Sequence, residues 1–164
     1  MKIGGKAVNG PHECFLPLRD GEIIIRAKAV PNFKEFNALC PEPKPPILQT
    51  KDGQVPDTKD MNYRQVKAIH DEKFMAYMTI KSLEPSEIEW DTVKINEPAT
   101  WTTWRKNLED AGFAHFEINR IQNLVLEANC LDEDKLVQAR EVFLRGQQKV
   151  QSESASPNSD QASS

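Results

Sequence analysis

NEPATWTTWRKNLEDAGFAHFEINRIQNLVLEAN, residues 96–129, is the stretch in which helix signals are densest. Asn96 and Glu97 are cap candidates, and Pro98 falls in the first turn, where its missing N–H costs nothing. Trp101, Trp104, Leu108 and Ala111 then recur at three and four, and Gly112 supplies a left-handed exit. A helix over 97–111 is therefore predicted. A second, over 114–129, places Ile118, Ile121, Leu124, Val125 and Ala128 on one face.

Downstream, Leu131-Asp132-Glu133-Asp134-Lys135-Leu136 reads as a helix start: Asp132 caps, Glu133 and Asp134 oppose the positive end of the macrodipole, and Leu131 staples to Leu136. The helix is expected to run to Arg145, burying Leu136, Ala139 and Phe143, with Gly146 as its stop. From Gln147 the chain turns to Gln, Ser, Ala, Asn and Asp, too little apolar area to offset the entropy of ordering, so residues 147–164 are expected to be a disordered tail.

Upstream, Tyr63, Val66, Ile69, Phe74, Tyr77 and Ile80 share half a helical wheel and predict a long helix over 61–82, with His70 on its apolar stripe as a hydrogen-bonded core or interface residue. Pro85 ends it, and 86–95 reads as one helical turn plus an extended piece. Residues 12–30 read as a hairpin around Arg19-Asp20-Gly21-Glu22, with Ile23, Ile25, Ala27 and Ala29 facing a core and Pro17 marking an edge strand. A further short strand is expected over 3–8. Asn32 caps a short helix carrying Phe33 and Phe36, which Pro41 stops. Residues 41–60 begin with Cys40-Pro41-Glu42-Pro43-Lys44-Pro45-Pro46 and stay polar, which admits two readings, a plain linker and a surface arm that makes contacts. The expected fold class is α+β, mainly α: a small N-terminal β-hairpin or sheet followed by a C-terminal helical bundle. All of it lies in one domain over 1–146, β-rich over 1–31 and helical over 61–146.

Composition narrows function by exclusion. With 164 residues, 38% hydrophobic and 28% charged, the chain can bury a core without a metal or disulfide. It has no apolar run of the ~20 residues a membrane helix needs, and its first residues lack the apolar stretch of a secretory signal, so a cytoplasmic protein is expected. Cys14, Cys40 and Cys130 lie far apart and read as small buried hydrophobes. The net charge of -4, from 21 basic and 25 acidic residues without long runs of either sign, disfavours nucleic-acid and membrane partners. His12, His70 and His115 lie in different elements, and no HExxH, Walker A, GxGxxG or GxSxG string occurs. The acidic Asp132-Glu133-Asp134 lacks the Gly and terminal Glu of a calcium loop. No catalytic, metal or cofactor residue is therefore named, no cofactor is expected, and the chain reads as a non-enzyme. Trp101 and Trp104 read as core, and Trp90 as either core or an exposed anchor for a partner.

Residues 88–144 resemble the tail assembly chaperones of long-tailed bacteriophages. The likeness is carried by the helix start from Pro98 to Trp104, the break with its Gly from Leu108 to Phe113, and the ending with Leu136, Ala139, Arg140 and Phe143. With the long helix and the Pro-rich loop before it, the likeness covers roughly 22–146. It implies a chaperone that binds the tape measure protein, keeps it soluble and promotes polymerisation of the tail tube protein around it, in the host cell cytoplasm and absent from the mature virion. Nucleic acid and membrane are not expected as partners, and apolar side chains on the helix surfaces leave a homo-oligomer open. The segment from Pro41 to Asp60, with Pro43 and Pro45, and the aromatics Phe33, Phe36 and Trp90, read as exposed, are expected to touch the client. Two other readings stay open: a helix-turn-helix-like DNA-binding protein, disfavoured because Arg120 is the one strong cation of 114–129, and a virion structural protein such as a head-tail connector.

Overall fold

The structure, a computed structural model, describes residues 1–134 together with Val137, Gln138, Glu141 and Arg145. It divides into two compact units, Met1–Asn129 and Cys130–Ser164, where the sequence suggests one domain through 146. In the second unit Glu133, Asp134, Val137, Gln138, Glu141 and Arg145 are helical and exposed. The burial expected of Leu136, Ala139 and Phe143, and the tail over 147–164, lie outside the described residues.

The first unit is mixed α and β, mainly α, with three small antiparallel hairpins. Strands β1 (Lys2–Ile3) and β2 (Lys6–Ala7) form a minimal exposed hairpin across Gly4-Gly5 in place of the single strand expected over 3–8. Strands β3 (Glu13–Leu18) and β4 (Ile23–Lys28) pair from Glu13↔Lys28 to Leu18↔Ile23, which is the hairpin expected. Its alternation sends Leu18, Ile25 and Ala27 into the core while Phe15 and Ile24 face outward. The turn is wider than a two-residue Asp-Gly turn: Arg19, Asp20 and Gly21 all have positive φ (52°, 56° and 84°), a conformation that costs a non-glycine residue about 1 kcal/mol.

Helix α1 (Lys34–Leu39) follows, with Asn32 Oδ1 accepting from Lys34 N (3.1 Å). Strands β5 (Ile47–Thr50) and β6 (Gly53–Pro56) form a third hairpin inside the segment read as a linker or surface arm, where no strand is expected. Helix α2 (Met61–Ser82) matches the expected bounds, and Asp60 caps it by accepting from Tyr63 N (2.7 Å). A short 3-10 turn (Glu84–Ser86) and an extended piece lead to a 3-10 helix (Pro98–Thr103) that runs into α3 (Trp104–Asp110). Gly112, at φ 94°, makes the exit, and α4 (His115–Ala128) completes the unit.

These elements form a helix-on-hairpin core: α4 lies on β3 and β4, and α2 packs against α4 and the 3-10 helix. The centre is aromatic. Phe36 stacks at 5.2 Å from Phe74, 5.4 Å from Tyr77 and 5.8 Å from Trp101, and Tyr77 lies 5.0 Å from Trp101. Trp101 donates from its indole N–H to Ile95 O (3.1 Å), so the buried ring leaves no polar atom unpaired. Burial, with the hydrogen bond that its hydroxyl donates to Glu35 Oε2 (3.1 Å), pushes the Tyr77 phenol up to about 12. Trp101, Trp104 and the whole expected face of α4 are buried. The expected stripe on α2 is only partly so: Tyr77, Ile80 and His70 are buried and Phe74 packs against the core, but Val66 and Ile69 are exposed, and residues 76–80 are buried all round. The second half of α2 runs through the centre, and its first half lies outside it.

Side chains lock the joints. Arg19 donates a forked pair of hydrogen bonds to Glu117 (2.9 and 3.0 Å) and a third to Gly112 O (3.0 Å), with its guanidinium 5.2 Å above the Phe113 ring. Glu117 also accepts from Ala114 N (2.8 Å), half of a capping box at the start of α4. Asn129 donates to Ser82 Oγ and Val125 O (2.8 Å each) and accepts from Val30 N (2.9 Å), joining α2, α4 and the end of the hairpin. Cys14 and Cys40 are half-buried and Cys130 is exposed, so the expectation of three buried thiols holds for none of them fully, and none of the three is in a disulfide.

Two measurements check this packing. Phe36→Ala should cost about 3–5 kcal/mol in urea denaturation, the range for emptying a buried Phe site; a change near zero would mean that the ring is not the centre of the core. The bonds from Arg19 and Ala114 N hold the Glu117 carboxyl down at about 2. A carboxyl that titrates lower folded than unfolded stabilises fully above the ordinary Glu range, and the effect fades as pH falls toward about 2. The gap in thermal midpoint between the wild type and Glu117→Gln should therefore be widest near neutral pH and close as pH drops through that window.

Candidate functional site

The arm is built from the Pro-rich strand outward. Pro43 and Pro46 lie with Tyr63 and Val66 along one open groove, so the polyproline segment runs against the first two turns of α2. Lys67 Nζ reaches Glu42 (3.4 Å) and Asp71 (2.6 Å); these ion pairs are half exposed and worth little in stability. Deeper in, His70 Nε2–H donates to Cys40 O (3.2 Å), and its ring meets Phe36 edge-on at 5.3 Å. His70 Nδ1 is buried without a hydrogen bond, 3.6 Å from Asp71 Oδ1. The expectation that His70 is a hydrogen-bonded core residue is met.

Beyond Pro46 the β5–β6 hairpin leaves the body. Register pairs Leu48 with Val55 on one face and Ile47 with Pro56 on the other, and both faces are open to solvent: Ile47 is 62% exposed, Leu48 50% and Val55 47%. Asp57 N→Pro46 O (2.7 Å) extends the ladder by one bond, and Thr50 Oγ1 donates to Gly53 O (2.7 Å) across the turn. A two-stranded hairpin without a cover is marginal in water, because neither face is packed against a further layer. The first half of α2 adds exposed Met61, Val66 and Ile69.

The five expected contact residues separate on this geometry. Pro43 and Pro45 are half-buried at the root of the arm. Phe36 is 1% exposed, and Phe33 is half-buried with its ring 4.6 Å from Phe74, so the premise that they are exposed is corrected: both serve the aromatic core. Trp90 is half-buried against the core and lines a separate pocket with Ile23 and Leu108. The apolar side chains that the arm does expose, Ile47, Leu48 and Val55, lie within the segment 41–60 expected to make contacts but were not singled out; the Asp52-Gly53 step between two short apolar runs was the available signal for the hairpin.

Other chemistry is sparse. His12 Nε2 lies 3.1 Å from Cys14 Sγ, and His115 contacts Asn119 and Arg105. Among the described residues no three His, Cys, Asp or Glu side chains are grouped so as to hold a metal ion, and no helix is long and apolar enough to cross a membrane. Compared with protein-family models, with curated proteins and with solved structures, the chain matches none.

The arm should be separable from the fold. Leu48→Asp with Val55→Asp should shift the urea midpoint by no more than surface substitutions do, within about 0.5 kcal/mol. A loss several times larger would mean that the hairpin is packed against the body.

Proposed function

We propose that this chain binds another protein through its arm and works as a holding chaperone of the phage tail assembly type, with the tape measure protein as client and the tail tube protein as the partner that displaces it. The observation that carries the reading is the β5–β6 hairpin, whose two faces both present apolar side chains to solvent. Full burial of a Val, Leu or Ile is worth about 1.5–3 kcal/mol. With about half of each side chain already covered, the three residues offer roughly 3 kcal/mol in all, before the cost of association. Such a hold is weak and reversible, which suits a client that has to be handed on. Met61, Val66 and Ile69 on α2 extend the apolar surface toward a longer client. The reading places the protein in the host cell cytoplasm, outside the mature virion, acting without catalysis, cofactor or nucleic acid.

Co-expression with a tape measure protein encoded beside it tests the proposal. The soluble yield of the client should rise with this chain and fall back with the Leu48→Asp, Val55→Asp variant. The same yield with and without the chain would remove the chaperone reading.

A further inference from the structure

We infer that the outer edge of β4, with the pocket beside it, is a docking site for an extended peptide of another protein, one that carries a large apolar side chain flanked by Lys or Arg. The site is separate from the arm and does not depend on the chaperone reading.

The ladder fixes which backbone groups are open. Ala29 N donates to His12 O (2.8 Å), so the odd residues of β4 exchange bonds with β3, and the even residues turn their N–H and C=O away from it. Along that outer edge the Ser86 hydroxyl accepts from Arg26 N and donates to Arg26 O (2.7 Å each), standing in for a neighbouring strand. Asn129 Oδ1 takes Val30 N. At Ile24 the edge is open: among the described residues neither its N–H nor its C=O has a partner, and the residue is 52% exposed. An open edge of this kind pairs with an extended chain through main-chain bonds.

Next to Ile24 lies a cavity of about 240 Å³, floored by Ile23, Ile88, Trp90, Leu108 and Phe113. Drug-sized ligands usually occupy about 300–1,000 Å³, so this volume suits a single large side chain better. The wall is held in place by Asn107, which is 7% exposed: its Oδ1 accepts from Asp91 N (2.9 Å) and Thr92 N (3.0 Å), and its Nδ2 donates to Thr92 Oγ1 (2.7 Å) and Thr103 O (3.1 Å). The 90–92 strap is thus fastened to α3 before anything binds, which lowers the cost of association.

Charge selects the occupant. Glu89 and Asp91 line the pocket, neither has an ion-pair partner among the described residues, and no Lys or Arg lines it. A cationic segment is attracted there and an acidic one repelled. Backbone pairing at Ile24 requires that the segment be extended.

The probe is a capped peptide with a central Phe between alternating Thr and Lys residues, titrated into the full chain and followed by the Ile24 amide and Trp90 indole signals in NMR. Saturable shifts centred on those two groups are expected. Affinity should fall about tenfold or more with Glu89→Lys and Asp91→Lys, with Glu in place of Lys in the peptide, and with N-methylation of the peptide amide that faces Ile24 O. The methylated peptide keeps the protein wild type, so its result stands even if the double variant folds poorly. Equal binding of the acidic or methylated peptide, no binding, or shifts that grow with protein concentration alone, as a second copy of the chain would cause, each overturns the inference.

Discussion

The packing of Phe36, Tyr77 and Trp101 against one another is the constraint on which the rest of the first unit depends. These three side chains come from α1, α2 and the 3-10 helix, and each is buried to within 1%. Aromatic side chains each remove 150–250 Å² from water, so a cluster of three supplies much of the driving force available to a small domain. Its position buries residues 76–80 of α2 on every side and leaves Val66 and Ile69 in the first half exposed.

Around that centre, polar side chains do what longer loops or extra strands do in larger folds. Asn107 closes the strap onto α3, Asn129 gathers three chain segments, Ser86 covers a stretch of strand edge, and Arg19 pins the hairpin turn to the α3–α4 joint. Each satisfies backbone groups that would otherwise be stranded between elements, and leaving such a group unpaired costs about 1–3 kcal/mol. The left-handed backbone at Arg19 and Asp20 persists because the three bonds of the Arg19 side chain hold it there.

The surfaces offered for binding are those that the core cannot reach. The β5–β6 hairpin and the first turns of α2 stand beyond the aromatic centre, and the open edge at Ile24 lies where the 84–92 segment stops covering β4. Both are apolar features, and the proposed interactions rest on them.

The elements themselves were legible in the sequence. Residues 61–82, the buried face of α4 and the β3–β4 pairing follow from periodicity, proline and glycine stops and a turn, all of which act over a few residues. Fold class was legible for the same reason. Which apolar faces are covered was decided only in three dimensions, since burial depends on what comes to lie opposite. Val66 and Ile69 look like core on a helical wheel and are exposed, whereas Phe36, expected as a contact, is buried in the core and Phe33 packs half-buried against it. The same limit hid the clamps: nothing near Asn107, Ser86 or Asn129 in the chain announces the strand edge or strap each one holds, because their partners are brought to them by the fold.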